Sequence, residues 1–426
     1  MISFGRVLPG QKRCESLLEG MFISATQSYS KPVSTGGINY FMAAIWFLYL
    51  VLKPVYLMPH GLPQLSDAVL AAGLIPAVIF MFLNARPGIS PVTLAGGLFV
   101  ALTVAINLVN YIFIPDKKFI FAALYYPYNF TIFLFVVFMF RKNAERMARL
   151  TFWGILIGLI IQVIVSHFFP NFGQGSGRIT GSFSNPNQLA YWALLSAAML
   201  VFLRRDRKLG WLDFAAIFLA GSLQTLALSK AGIITYGLFL FLLVFIPQAS
   251  RQAKMVLLFL VMAGASYFSF STDAISLKSF ERVSARLQTI GIEADDSLEG
   301  RGYDRIAHNP GYIITGSGEG GFERFQGWGS PAELHSGMAT ILFSYGILGL
   351  LFFCGFLYFI FYRQPWYCLA VLFIVLLFSV TSQTIRFTHT WVFLGVACGS
   401  FLVRREEADA GPDAIPEAQA LQHQSA

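Results

Sequence analysis

Charge is what this chain has least of. Only 12% of its 426 residues are Asp, Glu, Lys or Arg, against roughly 25% in an average soluble domain, while 56% are hydrophobic. With a mean hydropathy of +0.63, the chain has more apolar surface than a water-soluble fold could hide, so a bilayer is the implied solvent. Cysteine is scarce too. Cys14 precedes the first apolar run, and Cys354, Cys368 and Cys398 lie within or beside later ones. That placement excludes a disulfide framework and suits small apolar packing residues. A basic patch interleaved with aromatics is also missing. The net charge of +8 is spread over short clusters between apolar runs, which excludes nucleic acid as a partner. Residues 1–36 lack the short apolar core of a cleavable signal, so the run starting near Ile38 reads as an uncleaved anchor.

What is present is a series of apolar windows of about 20 residues, the length that spans a bilayer. They fall at 38–58, 66–85, 91–114, 119–140, 149–169, 187–203, 211–229, 230–247, 255–271, 337–362, 365–385 and 387–403. The seventh and eighth nearly fuse through LALSKAGII, where Ser229-Lys230-Ala231-Gly232 reads as a tight surface hairpin. The expected fold is therefore an all-α polytopic membrane protein of about 12 transmembrane helices. Its spanning domain covers 37–405, between a cytoplasmic segment at 1–36 and a disordered, Ala/Pro/Glu/Gln-rich tail at 406–426.

Alternate loops carry the Lys/Arg excess: NARPG, RKNAERMAR, RRDRKLG, QASRQAK, YRQPW and VRREE. The intervening ones, PHGLPQ, PDKK, LSKAG and QTIRF, are sparser in charge, so both termini are expected in the cytoplasm. Two outside connections differ. One is residues 170–186. The other, about 271–335, is the longest polar segment, with six basic residues against ten acids from Ser271 to Leu334. Within it Phe280, Val283, Leu287 and Ile290 recur at helical spacing and predict an amphipathic surface helix.

The helix centres are almost free of charge, which argues against an ion-driven carrier. Asp67 and Asp213 fall near helix ends, and Lys53 is near enough to the surface to snorkel. The ionisable groups gather on the outer face instead. In GRITGSFSNPN, Arg178 stands beside Gly177 and Gly181, with Ser184 or Asn185 placed to cap a helix starting at Pro186 or Asn187. A guanidinium at a helix N-terminus makes an anion site; the plainer alternative is a capped helix start with an arginine among headgroups. Lys230 either marks the interface or adds a phosphate contact. Arg301 and Arg305, in EGRGYDRIAHNPGY, lie four apart and would share a helix face suited to a diphosphate, or would pair with Glu299 and Asp304. Arg282 and Arg286, also four apart, suit the membrane surface better. His335 stands where the polar loop re-enters the membrane and could serve as a general base oriented by Glu333, or be simply amphipathic. His167, His308 and His389 have no comparable setting. Asp295-Asp296 has no further ligands at metal-binding spacing.

The runs RITGSFSNPNQLA, SKAG and GSGEGGF…ELHSGMATILFSYGILGL together resemble the O-antigen ligase and Wzy polymerase superfamily, bacterial inner-membrane glycosyltransferases that use polyprenyl-diphosphate-linked glycans. The likeness covers roughly residues 150–365. It implies a C-type glycosyltransferase-like architecture with one large periplasmic loop, an undecaprenyl-diphosphate-linked oligosaccharide donor, and no metal or other cofactor. Arg178, Lys230, Arg301 and Arg305 would bind the diphosphate, and His335 would activate the acceptor hydroxyl. The acceptor would be another lipid-linked repeat unit in a polymerase or lipid A-core in a ligase. Membrane lipid and a chain-length regulator protein complete the implied partners. Two positions depart from the pattern: Ser336 stands where Asn often follows the histidine, and Lys230 where arginine is usual. Polymerisation is the expected activity, ligation the alternative. Carriage of a lipid-linked glycan across the membrane is the expectation from another class.

Overall fold

Small polar residues at the starts of the apolar runs decide where the helices begin. The computed structural model describes residues 36–57, 64–84, 90–169, 178–255, 257, 278–291, 297–325 and 333–409. The helices are α1 (Gly36–Leu52), α2 (Leu65–Asn84), α3 (Pro91–Phe113), α4 (Lys117–Lys142), α5 (Ala144–Phe168), α6 (Pro186–Leu203), α7 (Trp211–Ala227) and α8 (Lys230–Phe245). Then come α9 (Lys278–Gln288), α10 (Asp304–His308), α11 (Tyr312–Thr315), a 3₁₀ turn at Phe322–Phe325, α12 (Gly337–Phe361), α13 (Trp366–Thr381) and α14 (Thr388–Asp409). Ser90, Asp116, Asn143, Asn185, Ser229 and Ser336 each accept a backbone N–H from the first turn of the helix they precede. Each cap satisfies a donor that the helix itself leaves unpaired. Among the described residues no strand occurs.

A helix covers each apolar window except 255–271, which lies almost wholly outside the described residues. Among the described residues five helices are long and apolar enough to cross a membrane, namely α3, α4, α5, α6 and α12, as a helical membrane protein requires. α1, α2, α7, α8 and α13 contribute shorter apolar stretches. The break between α7 and α8 is shorter than the expected SKAG hairpin: Leu228, left-handed at φ 49°, ψ 37°, and the cap Ser229 separate them, and Lys230, Ala231 and Gly232 already belong to α8. The expected amphipathic helix is α9, whose Val283 is buried. α14 runs on to Asp409, past the point at 406 where a disordered tail is expected. Cys14, Gly177 and Asp295-Asp296 lie outside the described residues.

α14 packs along α4, α12 along α3, and α3 along α4. Trp391, fully buried, sits in the middle of this group with Phe99, Tyr126, Phe130 and Phe356 around it, ring centroids 5.7–6.5 Å away. Aromatic surface on this scale fixes the relative depth of four helices, and with it the position of the turns at their ends.

The decisive departure from regularity is in α12. Gly346 has φ 69° and ψ −177°, so the helix breaks there. The gap is filled by the loop that follows α11. Ser317 N–H donates to Phe343 O at 3.0 Å and Gly318 N–H to Ser344 O at 2.8 Å, replacing donors that the broken helix no longer supplies. A Cβ on Gly346 would collide with the carbonyl of Ile314. The glycine therefore allows both the positive φ and the close approach of a second chain segment.

Candidate functional site

The inserted loop, GSGEGGF, carries Glu319 into the bundle between the end of α3, the start of α4 and the first half of α12. Gly316, Gly318, Gly320 and Gly321 all have positive φ, a winding path that few other residues could follow here. Glu319 is only 3% exposed, yet its carboxylate is well matched. Tyr126 Oη and Tyr345 Oη donate to Oε2 at 2.7 and 2.6 Å, and Gln383 Nε2 donates to Oε1 at 3.3 Å. Arg386 Nε donates to Oε1 as well, forming a buried ion pair. Asn107 completes the setting: its Oδ1 accepts from Glu319 N at 2.8 Å and its Nδ2 donates to Tyr345 Oη at 3.1 Å.

Arg386 lies in the turn between α13 and α14, where Asn129 Nδ2 holds its backbone carbonyl at 3.0 Å. Its Nη1 donates to Glu333 Oε2 at 2.9 Å, so two carboxylates grip one guanidinium. Burial works against its charge, but Glu319 and Glu333 outweigh that and push its pKa up. Arg386 therefore carries a permanent positive charge.

Beside this group lies a small cavity of about 30 Å³, room for a water molecule or two, that opens to solvent. Arg305, Glu319, Glu333, Thr340, Gln383 and Arg386 supply its polar wall, and Phe322, Phe325 and Phe343 its apolar one. Arg305 is 2% exposed and stacks over Phe325 at 5.2 Å. Burial lowers its pKa, opposed by the carboxylates of Asp304 and Glu333. Arg324 backs the apolar wall. It lies over Phe325 at 4.7 Å and over Phe119 at 5.3 Å, with Nη2 donating to Ser317 O and Nη1 to Asn110 Oδ1 at 3.3 Å. Two guanidiniums and two carboxylates around one cavity can bind an oxyanion and orient hydroxyl groups.

The residues singled out in the sequence divide. Arg305 and Glu333 line this cavity; Arg178, Lys230, Arg301 and His335 do not. Arg301 and Arg305 share no helix face, because α10 starts only at Asp304. Arg301 instead donates from Nη1 to Thr381 O at 2.6 Å, and its own carbonyl accepts from His335 N at 3.1 Å. Lys230 Nζ donates to Thr289 O at 2.9 Å, tying the α7–α8 hairpin to the end of α9. His335 has an exposed side chain one residue beyond Leu334, which lines the cavity. Glu333, expected to orient His335, bonds Arg386 instead, and no hydrogen bond joins it to the imidazole.

Arg178 is half-buried at the head of a segment whose polar groups mainly serve the fold. Ser182 Oγ donates to Pro54 O, Gln162 Nε2 bridges Pro54 O and Ser182 Oγ at 2.8 Å each, and Asn185 caps α6 with Pro186 as its first residue. Lys53 does not snorkel. It is 2% exposed and donates to Asp67 Oδ1 at 3.0 Å, with Tyr128 Oη on the same oxygen at 2.9 Å. A buried carboxylate at the start of α2 attracts the ammonium inward.

Sequence reasoning missed Glu319, Gln383 and Arg386. Glu319 could have been found as an acid flanked by glycines, and Arg386 as a lone arginine in a short turn between apolar runs, the argument used for Arg178. Nothing in the helical patterns marks Tyr126, Tyr345 or Asn107. Among the described residues no group of three or more His, Cys, Asp or Glu side chains is placed to hold a metal ion. Comparison of the chain with protein-family models gives no match, nor does comparison with curated proteins.

Proposed function

We propose that the protein is a membrane glycosyltransferase that elongates an undecaprenyl-diphosphate-linked glycan at the periplasmic end of its helices in a bacterial inner membrane. The observation that carries this reading is the pair Arg305 and Arg386, brought from distant segments to one cavity at the end of an apolar helical bundle. Nucleotide sugars are not expected outside the cytoplasm, so the donor must bring its own leaving group, and a sugar on a lipid diphosphate does so.

The acceptor hydroxyl oxygen attacks the anomeric carbon as the bond from that carbon to the diphosphate oxygen breaks. The diphosphate leaves with the bonding electron pair, and the two guanidiniums stabilise the charge that builds on it. The hydroxyl proton passes to His335, exposed beside the cavity wall, and from there to solvent. A single displacement inverts the anomeric centre. The acceptor is a second lipid-linked repeat unit; the ligase alternative replaces it with lipid A-core and leaves the other roles unchanged.

Elongation of lipid-linked oligosaccharide by the purified protein in proteoliposomes tests the reading. Arg386→Lys is expected to slow elongation about a hundredfold or more, the scale of losing one aligned electrostatic contact in a transition state. His335→Ala is expected to do the same, with the wild-type rate recovered in part at higher pH. Wild-type rates in both variants would falsify the proposal. The glycolipids of a deletion strain separate the two acceptors: core bearing one repeat unit marks a lost polymerase, bare core a lost ligase.

A second reading, a lipid-glycan carrier, draws on the buried Lys53–Asp67 pair, since carriers place charge inside the helical bundle. Glycan translocation into vesicles without elongation, abolished by Asp67→Asn, favours it over the transferase.

A further inference from the structure

Taking the cavity as an anion site, as the proposed function does, we infer that the two carboxylates on Arg386 do opposite jobs. Glu319 is a positioning residue that fixes the guanidinium. Glu333 is an exchangeable counter-ion that holds the place of a ligand oxyanion until one displaces it.

The two acids differ in every respect that matters. The Glu319 side chain is 2% exposed, that of Glu333 38%. Glu319 receives hydrogen bonds from Tyr126 of α4, Tyr345 of α12, and Gln383 and Arg386 of the α13–α14 turn, and its backbone is held by Asn107. Removing Glu319 from Arg386 would leave a dry carboxylate and two buried phenols to find new partners. Glu333 has one partner in this group, Arg386 Nη1, and water can take over its carboxylate as soon as it swings away.

Their positions point the same way. Glu319 grips Nε, the inner edge of the guanidinium, whereas Glu333 takes Nη1 at the outer edge. Glu333 also shares the cavity wall with a second guanidinium, Arg305. A half-exposed carboxylate bound to one arginine, in a cavity lined by another, stands where a phosphate group would be held by charge-assisted hydrogen bonds. A diphosphate arriving there brings more charge and more acceptor oxygens than one carboxylate, and like charge drives Glu333 outward. Other described groups near this spot are Tyr125, whose ring lies 5.9 Å from the Arg386 guanidinium, Gln383, and the Lys118 ammonium, which also feels the charge of Glu333 and is paired with Glu323. Of these, Tyr125 and Gln383 are uncharged, and the Glu323 carboxylate is engaged by Lys118.

This arrangement has a use. With Glu319 alone on Arg386, the outer edge of its guanidinium would bind any passing anion or lipid phosphate. Glu333 makes weak anions compete against a tethered carboxylate, so that only a ligand with several phosphate oxygens displaces it.

Titration of inorganic diphosphate into the full chain in detergent micelles, followed by calorimetry, tests the inference. Glu333→Gln is expected to lower Kd about tenfold, because it removes the competitor, and Glu319→Gln to raise Kd about tenfold or more, because it releases the guanidinium. Glu319→Asp keeps the charge and is expected to fall between wild type and Glu319→Gln; it replaces Glu319→Gln if that variant melts early. The opposite signs are the essential readout, since general structural damage would weaken binding in both variants. The inference is overturned if Glu333→Gln weakens binding or leaves it unchanged, if Glu319→Gln leaves it unchanged, or if the wild type binds no diphosphate. Elongation of lipid-linked glycan is read separately. Opposite Kd shifts without elongation keep this inference and remove the transferase reading, whereas elongation with shifts of one sign removes this inference alone.

Discussion

Two buried ion pairs stand at the same end of the helical bundle, and one of them, Glu319–Arg386, lines a cavity. Lys53–Asp67 joins the end of α1 to the start of α2, with Tyr128 of α4 and the backbone of Gln64 completing the acid's hydrogen bonds. Glu319–Arg386 joins the glycine loop to the α13–α14 turn, with Tyr126 and Tyr345 completing the carboxylate. Both follow the rule that a buried charge needs a partner and further hydrogen bonds. They differ in the cation. The Lys53 ammonium is enclosed by Asp67 and the Tyr49 and Tyr56 rings, 5.8 and 6.0 Å away. The Arg386 guanidinium keeps an outer edge on a cavity and a second, looser acid. A charge pair of the first kind secures a helix junction. One of the second kind can act on a ligand.

The comparison breaks most readily at Arg386. Arg386→Leu leaves Glu319 buried without its counter-charge, and a loss of about 3–5 kcal/mol in unfolding free energy is expected, together with loss of elongation. A variant that kept wild-type stability would show that the pair is not buried as described. Lys53→Met strands Asp67 in the same way and should cost about 3 kcal/mol in denaturant unfolding, while activity per folded molecule is unchanged. Lys53→Met combined with Asp67→Leu should recover much of that stability, because a well-packed apolar pair can match a buried ionic one. Activity that tracked the Lys53 variant more closely than its stability would shift the site toward α1 and α2.

Gly346→Ala probes what holds the second pair in place. The new methyl group meets the Ile314 carbonyl, and the backbone must keep its positive φ, so a loss of about 1–3 kcal/mol is expected. The glycine loop should also become more accessible, seen as faster hydrogen exchange at Ser317 and Gly318; unchanged exchange there would contradict the loop–helix docking. The smallest effect is expected at Asn185, where Asn185→Ala removes the α6 cap and should cost about 1 kcal/mol without altering diphosphate binding. A large loss of binding there would return the site to the Arg178 segment.

The same contrast shows how far the primary structure could be read. Arg178 stands in a polar island that draws attention, yet the described residues around it are occupied with capping α6 and closing against Pro54. Arg386 stands in QTIRF, a turn with nothing else to recommend it, and lies in the cavity wall. Arg305 and Arg301 looked equivalent by spacing, but the late start of α10 sends one to the cavity and the other to the end of α13. Residue type and spacing identify which side chains could bind an anion. They do not say which ones meet.

Apolar runs and caps determined the helices, because burying apolar surface and satisfying terminal N–H groups are local or nearly local demands. The composition alone required a lipid environment for the same reason: transfer free energy depends on what the side chains are. The binding geometry depended on contacts between residues far apart in the chain, chiefly the docking of GSGEGGF into the break at Gly346 and the packing of Trp391 that fixes the Arg386 turn. Electrostatic and hydrogen-bond energies act over a few ångströms, and only the packed bundle decides which groups come that close.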